Sequence, residues 1–321
     1  MRISSRAIVD NVLVNLQRNF ARLDRLQSRL SSGKQVRFVS DDPGRATTSM
    51  RLQSAVLENR QYLKNADAAT GWMEVTDSAL QDVVSTLHRV RELTVYAARG
   101  DLPETARGAL ADELDQLLRH VIQVANTAHA GRFLFAGSQT GTMPYAIAAT
   151  DPTTGYVTEV AYFGDAAGLE VELGPGLRQR MNVSGSEAFA HGVASPAAGS
   201  VSISAGDFDS SGLFGVLMKI RDDARAGNVA TLSDADLASL DRALERVLES
   251  LNQVGARSEG LQLVAQRLQG EEVNLKELLS KAEDLDVAEA IMELKMQENV
   301  YRLALASGAR VLQPTLLDFL R

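Results

Sequence analysis

Residues 286–321 read DVAEAIMELKMQENVYRLALASGARVLQPTLLDFLR, and the spacing of their apolar side chains points to the fold. Val287, Leu294 and Tyr301 fall seven apart, Ile291, Leu305, Leu312 and Phe319 occupy a second line, and the sequence stops two residues beyond it. That spacing places both lines on one stripe of a helix, the pattern of one side of a helical zipper. Such a stripe needs a covering partner. Residues 9–30 supply a comparable segment, in which Val9, Val12, Leu16, Phe20, Leu23, Leu26 and Leu30 advance in steps of three or four. They predict an amphipathic helix of about five or six turns. The candidate interface positions are Leu16, Phe20, Leu23, Ile291, Leu294, Leu305 and Leu312, each of which could equally serve as a contact inside the chain.

Composition agrees with long helices. Across 321 residues, hydrophobic side chains make up 45% and aromatics only 5%, so the chain has enough apolar material for a core but few of the large rings that usually fill a compact one. Cysteine is absent, which removes disulfides, thiolate chemistry and cysteine-bound metals from consideration. No continuous apolar run of membrane-spanning length occurs, and the start MRISSRAIVDNVLVNLQRN lacks the pattern of a conventional signal peptide. The net charge of −8 is unevenly spread: residues 1–37 carry eight Lys or Arg against two Asp, whereas residues 281–321 carry five against seven acidic groups. The two ends therefore attract in sign. The basic segment alternates with heptad leucines and has no aromatic platform, which argues against nucleic-acid binding.

Inward from the ends, Gly33 is placed to stop the first helix, and Asp42 followed by Pro43 to cap and open the next. The 59 residues after Pro43 contain no proline. Leu52, Ala66, Met73, Leu80 and Leu87 form one seam through them, and Ala55, Tyr62, Ala69, Val83, Val90 and Ala97 another, predicting a rod of roughly 70 to 80 Å. Gly71 alone interrupts it, at a cost of about 1 kcal/mol. After a turn at residues 100–103, Leu110, Leu114, Leu117, Val121, Val124 and Ala128 predict an antiparallel second helix. A third long helix is expected along Leu240, Val247, Val254, Leu261, Leu268 and Leu275, with Ser233 or Asp234 capping its start.

Between residues 131 and 215 the composition changes. Fourteen of the 24 glycines and four of the seven prolines fall there, with alternating stretches such as YVTEVAYF at 156–163 and LEVEL at 169–173. These mark short strands and tight turns. Residues 141–212 carry eight acidic and two basic side chains, as befits a solvent-facing module. The fold class expected is mainly α, with long antiparallel helical rods, paired termini and an inserted β module. Its divisions are 1–40 with 284–321, 41–140 with 213–283, and 141–212.

Catalytic patterns are missing. The four histidines, His88, His120, His129 and His191, share no metal-ligand spacing, and neither a phosphate-binding glycine loop nor a nucleophile elbow occurs. Asp41 with Asp42, and Glu271 with Glu272, are adjacent and would diverge on a helix, which makes them poor catalytic pairs. No enzyme, cofactor or metal is therefore expected.

Several strings resemble the flagellin superfamily: RLSSGKQVRFVSDDPGRA (29–46), RVRELTVYAARGDL (89–102) and the closing segment quoted above. AGRFLFAGSQTGTMPY (130–145) is similar to the stretch in which the hook–filament junction branch of that superfamily passes from its helical to its variable domain, and the start MRIS resembles that branch too. The ending VLQPTLLDFLR departs from the Gln- and Asn-rich approach of filament subunits. The resemblance implies an extracellular structural component of the bacterial flagellum, exported by the flagellar type III route without a cleaved signal. It implies terminal helices forming an inner tube, paired rods a middle domain and the β module an outer surface. The implied partners are copies of the chain in a ring, another hook-associated protein on the hook side, flagellin on the filament side, and a cytoplasmic export chaperone on the C-terminal helix. A minor flagellin that builds the filament itself is the alternative, and an enzyme carried in the central module is a more remote one.

Overall fold

A computed structural model of the chain describes residues 2–191 and 200–312, with side chains described for 10–191 and 200–309. The chain divides into two compact units, residues 1–60 with 270–321, and residues 61–269. The helices are α1 (Arg2–Ser32), α2 (Pro43–Ala97), α3 (Glu104–Ala125), α4 (Gly185–Phe189), α5 (Phe208–Ala226), α6 (Val229–Thr231), α7 (Leu237–Glu283) and α8 (Val287–Leu312). The mainly α expectation with an inserted β module holds.

The first unit contains α1, the start of α2, the end of α7, and α8. Gly33, at φ +69, takes the left-handed conformation that ends α1 with no steric cost. Asp42 caps α2 as expected, its Oδ1 accepting from the amides of Gly44 and Arg45 at 3.0 Å each. Pro43 fits the first helical position because its missing N–H would have no partner there.

The second unit is built around the seams predicted for α2. Ala66, Met73, Leu80 and Leu87 are all buried, as are Ala69, Val83, Val90 and Ala97, and α2 runs through Gly71 without a break. Leu110, Leu114, Val121 and Val124 of α3 join this core with Leu240, Val247, Val254 and Leu261 of α7. The strands are β1 (Ala128–His129), β2 (Arg132–Phe133), β3 (Tyr145–Thr150), β4 (Val157–Tyr162), β5 (Glu170–Gly174), β6 (Leu177–Arg180) and β7 (Val201–Ser204). They form an antiparallel sheet in the order β3-β4-β7 and the two ribbons β1-β2 and β5-β6. Tyr145, Tyr162, Phe189 and Phe214 are fully buried in an aromatic cluster that is continuous with the helical core.

Two local expectations are corrected, and one element was not anticipated. Ala128 belongs to β1, because α3 stops at Ala125 and Asn126 turns to bond the backbone of Tyr145 in both directions, at 2.8 and 2.9 Å. Neither Ser233 nor Asp234 caps α7: Thr231, Leu232 and Leu237 are already helical, and a π-turn over Leu232–Asp236 leads from α6 into α7. Helix α5 is an element that the seam pattern did not reveal. Leu213, Phe214, Val216, Leu217, Met218 and Ile220 are all buried, and a helix covered on most sides has no amphipathic stripe to read. It packs on α3 and β7.

Candidate assembly interface

The site lies in the first unit, where a small backbone clasp brings the two ends together. The α1–α2 and α7–α8 connections form an isolated antiparallel bridge, Lys34 to Asp284. Flanking it, the amide of Gln35 donates to the Glu283 carbonyl at 2.8 Å, and the amide of Leu285 to the Gly33 carbonyl at 2.9 Å. The side chain of Glu283 is buried against the same junction. It accepts from Lys34 Nζ, from Gln53 Nε2 at 3.0 Å and from Ser49 Oγ at 3.2 Å. These donors, Lys34 first, hold its carboxyl below the usual glutamate range despite the opposing effect of burial. Asp286 then caps α8, its Oδ1 accepting from the amides of Ala288 and Glu289 at 3.0 and 3.2 Å.

From the clasp, α8 runs back antiparallel along α1. Gln297 Nε2 donates to Asn19 at 3.4–3.5 Å, Phe20 and Tyr301 meet with ring centroids 6.2 Å apart, and Val12 Cγ1 lies 3.1 Å from where a Cβ on Gly308 would stand. The close approach depends on that glycine. Leu16, Leu23 and Leu294 are half-buried, whereas Phe20 is 58% exposed, Ile291 44% and Leu305 45%. The side chain of Leu312 lies outside the described residues.

Leu26 and Ala290 are buried in this unit and Gly308 lies against α1, three positions outside the sequence-derived set. Leu26 did belong to the heptad pattern; Ala290 and Gly308 could have been found only by treating small residues as marks of close helix approach. Several further apolar side chains on α8 face solvent, among them Met292, Met296 and Leu303. Two helices cannot cover each other's apolar stripes completely, and the remainder forms a long exposed apolar surface of the kind associated with protein–protein contact.

Among the described residues no group of His, Asp or Glu side chains could hold a metal ion, and no helix is long and apolar enough to cross a membrane. His191 sits in the aromatic core, its Nε2 2.6 Å from the Tyr145 hydroxyl. Asn182, in a nominal glycosylation triplet, is fully buried, its side chain bonded to Leu169, Arg180 and Ala167.

Residues 3–140 match the family described as the bacterial flagellin N-terminal helical region. The flagellar hook-associated protein 3 of Salmonella typhimurium is 30% identical over 146 residues, 45% of this chain and 46% of that protein. The chain thus spans about half the length of that relative. A filament protein, the flagellar filament 41 kDa core protein of Borreliella burgdorferi, is 28% identical over 110 residues, 34% of this chain and 33% of its own. In fold, the structure of a putative flagellar hook-associated protein from Vibrio parahaemolyticus superimposes with a TM-score of 0.62 at 18% identity, covering 76% of this chain and all of that one. Residues 3–140 are thus similar in sequence to the N-terminal helical region of bacterial flagellins, and most of the chain is similar in fold to that hook-associated protein.

Proposed function

We propose that the chain is the subunit that joins hook to filament in a bacterial flagellum, and that its work is mechanical assembly without chemistry. The observation that carries this reading is the exposed apolar surface of the α1–α8 pair, with Phe20, Ile291 and Leu305 each more than two-fifths exposed on helices that are otherwise packed together. A monomer gains nothing from leaving those groups in water. A ring or tube of copies would cover them and gain about 25 cal/mol for each Å² removed from solvent. Leu16, Leu23, Leu294 and Leu312 belong to the same contact in this reading.

Residues 1–40 with 284–321 then form the inner tube, 41–140 with 213–283 the middle rods, and 141–212 the outer face. Copies associate in a ring, with another hook-associated protein on the hook side and flagellin on the filament side. The chain leaves the cell by the flagellar type III route, and a chaperone covers its C-terminal helix beforehand. The likeness to a hook-associated protein in sequence supports a junction in preference to a filament subunit.

Removal of residues 292–321 tests the proposal. The shortened protein should stay soluble and largely helical yet no longer assemble; unchanged assembly would overturn the reading. Deletion of the gene separates junction from filament, since loss of a junction subunit leaves hooks that leak unpolymerised flagellin, whereas loss of a minor flagellin leaves filaments in place.

A further inference from the structure

The opposite net charges of the two chain ends suggest ion pairing between α1 and α8, and the structure shows a different arrangement. Among the described residues no ion pair joins the two helices; they meet through apolar groups, Asn19 and Gln297. Arg18, Arg22, Arg25 and Arg29 follow one another at steps of four, three and four, which sets them on one face of α1. None of them forms an ion pair with a described residue, and the one hydrogen bond from this set runs from Arg25 Nε to the Ala21 carbonyl at 3.2 Å. Elsewhere in the same unit Arg60 and Lys276 share Glu272 at 2.8 and 2.9 Å, and Lys281 meets Glu277 at 2.6 Å. Arg37, Arg51 and Arg302 of this unit also lack an ion pair to a described residue, but only α1 carries four such cations along one face.

Arg22, Arg25 and Arg29 line an open cavity of about 480 Å³ with buried Leu26 and exposed Met296, and Asp41 and Glu293 are the acidic groups among its walls. On α8, Glu289 and Glu293 stand one turn apart, both exposed and both without an ion pair to a described residue. Each copy therefore presents a basic edge on α1, where three arginines face two carboxylates across the cavity, and an acidic edge on α8, with no ion pair formed between them among the described residues.

We propose that the arginine stripe of α1 receives the acidic edge of α8 from a second copy of this chain. The inference rests on the assembly reading above and adds the contact that sets register. Stripe on stripe would oppose like charges, whereas basic edge on acidic edge opposes unlike ones; formed once per contact it is head-to-tail, the kind of contact that repeats into rings or helices. Apolar burial drives association, and the charged edges choose which faces meet.

The test uses the full chain, with sedimentation reporting assembly and circular dichroism reporting helix content. The triple variant R22Q/R25Q/R29Q should keep its helix content and assemble about tenfold more weakly at low salt. Raising salt from about 0.05 to about 0.5 M should weaken the wild type comparably and the variant far less. The reversed variants R22E/R25E/R29E and E289R/E293R should each assemble poorly alone and recover when mixed. A triple variant that assembles like the wild type at low salt overturns this inference while leaving the assembly reading intact. So does a mixture of reversed variants that fails to recover. A wild-type chain that never self-associates removes the assembly reading itself. An oligonucleotide retained by the wild type but not by the triple variant, with assembly unchanged, would assign the stripe to nucleic acid.

Discussion

Glu283, on the last turn of α7, accepts a hydrogen bond from Gln53 of α2 at 3.0 Å, across 230 positions of sequence, and Lys34 reaches the same carboxylate from the loop after α1. One buried acidic group thus ties together the connections from which α1 and α8 depart. Because its bound state favours the charged form, its contribution is present above the ordinary glutamate value of 4.5 and fades as pH falls through the lower folded value. Glu283→Gln should cost about 1–2 kcal/mol, raising exchange of the Gln35 and Leu285 amides some 5- to 30-fold over the wild type at neutral pH. In the wild type, corrected for intrinsic rates, the same acceleration should set in only as the pH drops below 4.5, and it should be absent from the variant's profile.

In the second unit Arg221 is 1% exposed and donates from one terminal nitrogen to Asp115 Oδ1 at 2.8 Å and to the Val157 carbonyl at 2.6 Å. Asp115 also accepts from the Val157 amide at 3.0 Å and from Arg119 at 2.7 Å, so α3, α5 and β4 converge on one carboxylate. Asp222 Oδ1 also accepts from Arg221, at 2.7 and 2.9 Å, so Asp115→Ala removes one of two carboxylates from the buried guanidinium and strands the Val157 amide, and should destabilise the unit by about 2–3 kcal/mol. Trp72, the single tryptophan and itself buried in this core, gives a fluorescence signal for the unfolding midpoint. Asp115→Asn, which keeps an acceptor for the Val157 amide, should cost less than Asp115→Ala.

Gly212 opens the second turn of α5 at φ +59 and ψ −159, a region open in practice to glycine alone. A Cβ there would lie 2.5 Å from the Phe189 carbonyl oxygen and 2.6 Å from that of Ala190. Gly212→Ala should therefore lower stability by about 3 kcal/mol or more, lowering the midpoint followed by Trp72 fluorescence. Gly108, inside α3 with nothing within 4 Å of its added Cβ, is the contrast: Gly108→Ala should stabilise by about 0.5–1 kcal/mol.

Ile291 and Leu305 separate assembly from folding. Both are more than two-fifths exposed in the single chain, so changing each to serine should alter monomer unfolding by no more than about 1 kcal/mol. Sedimentation of the double variant should nevertheless show assembly lost. A change in unfolding of several kcal/mol would place these side chains in the monomer core instead.

Local rules made the helices legible. Seven-residue spacing in α2, α7 and α8, the Asp42–Pro43 start and the Gly33 stop each act through neighbours a few positions away, so sequence alone determined where those helices run and which faces seek cover. It also yielded the α1–α8 pairing, because each apolar stripe had a single comparable partner. Helix α5, by contrast, is apolar around most of its circumference, and its burial depends on α3 and the sheet. The small contacts at Ala290 and Gly308, the four-residue meeting at Glu283 and the Asp115–Arg221 pair join segments tens to hundreds of positions apart, which no periodicity encodes. The charged ends show the division most sharply. Sequence determined their signs, but only the tertiary structure decided that α1 and α8 meet through apolar groups and amides, leaving Arg18, Arg22, Arg25 and Arg29 without an ion pair to a described residue. Exposed pairs between long side chains gain little against the entropy of holding them, whereas apolar contact between the helices removes surface from water.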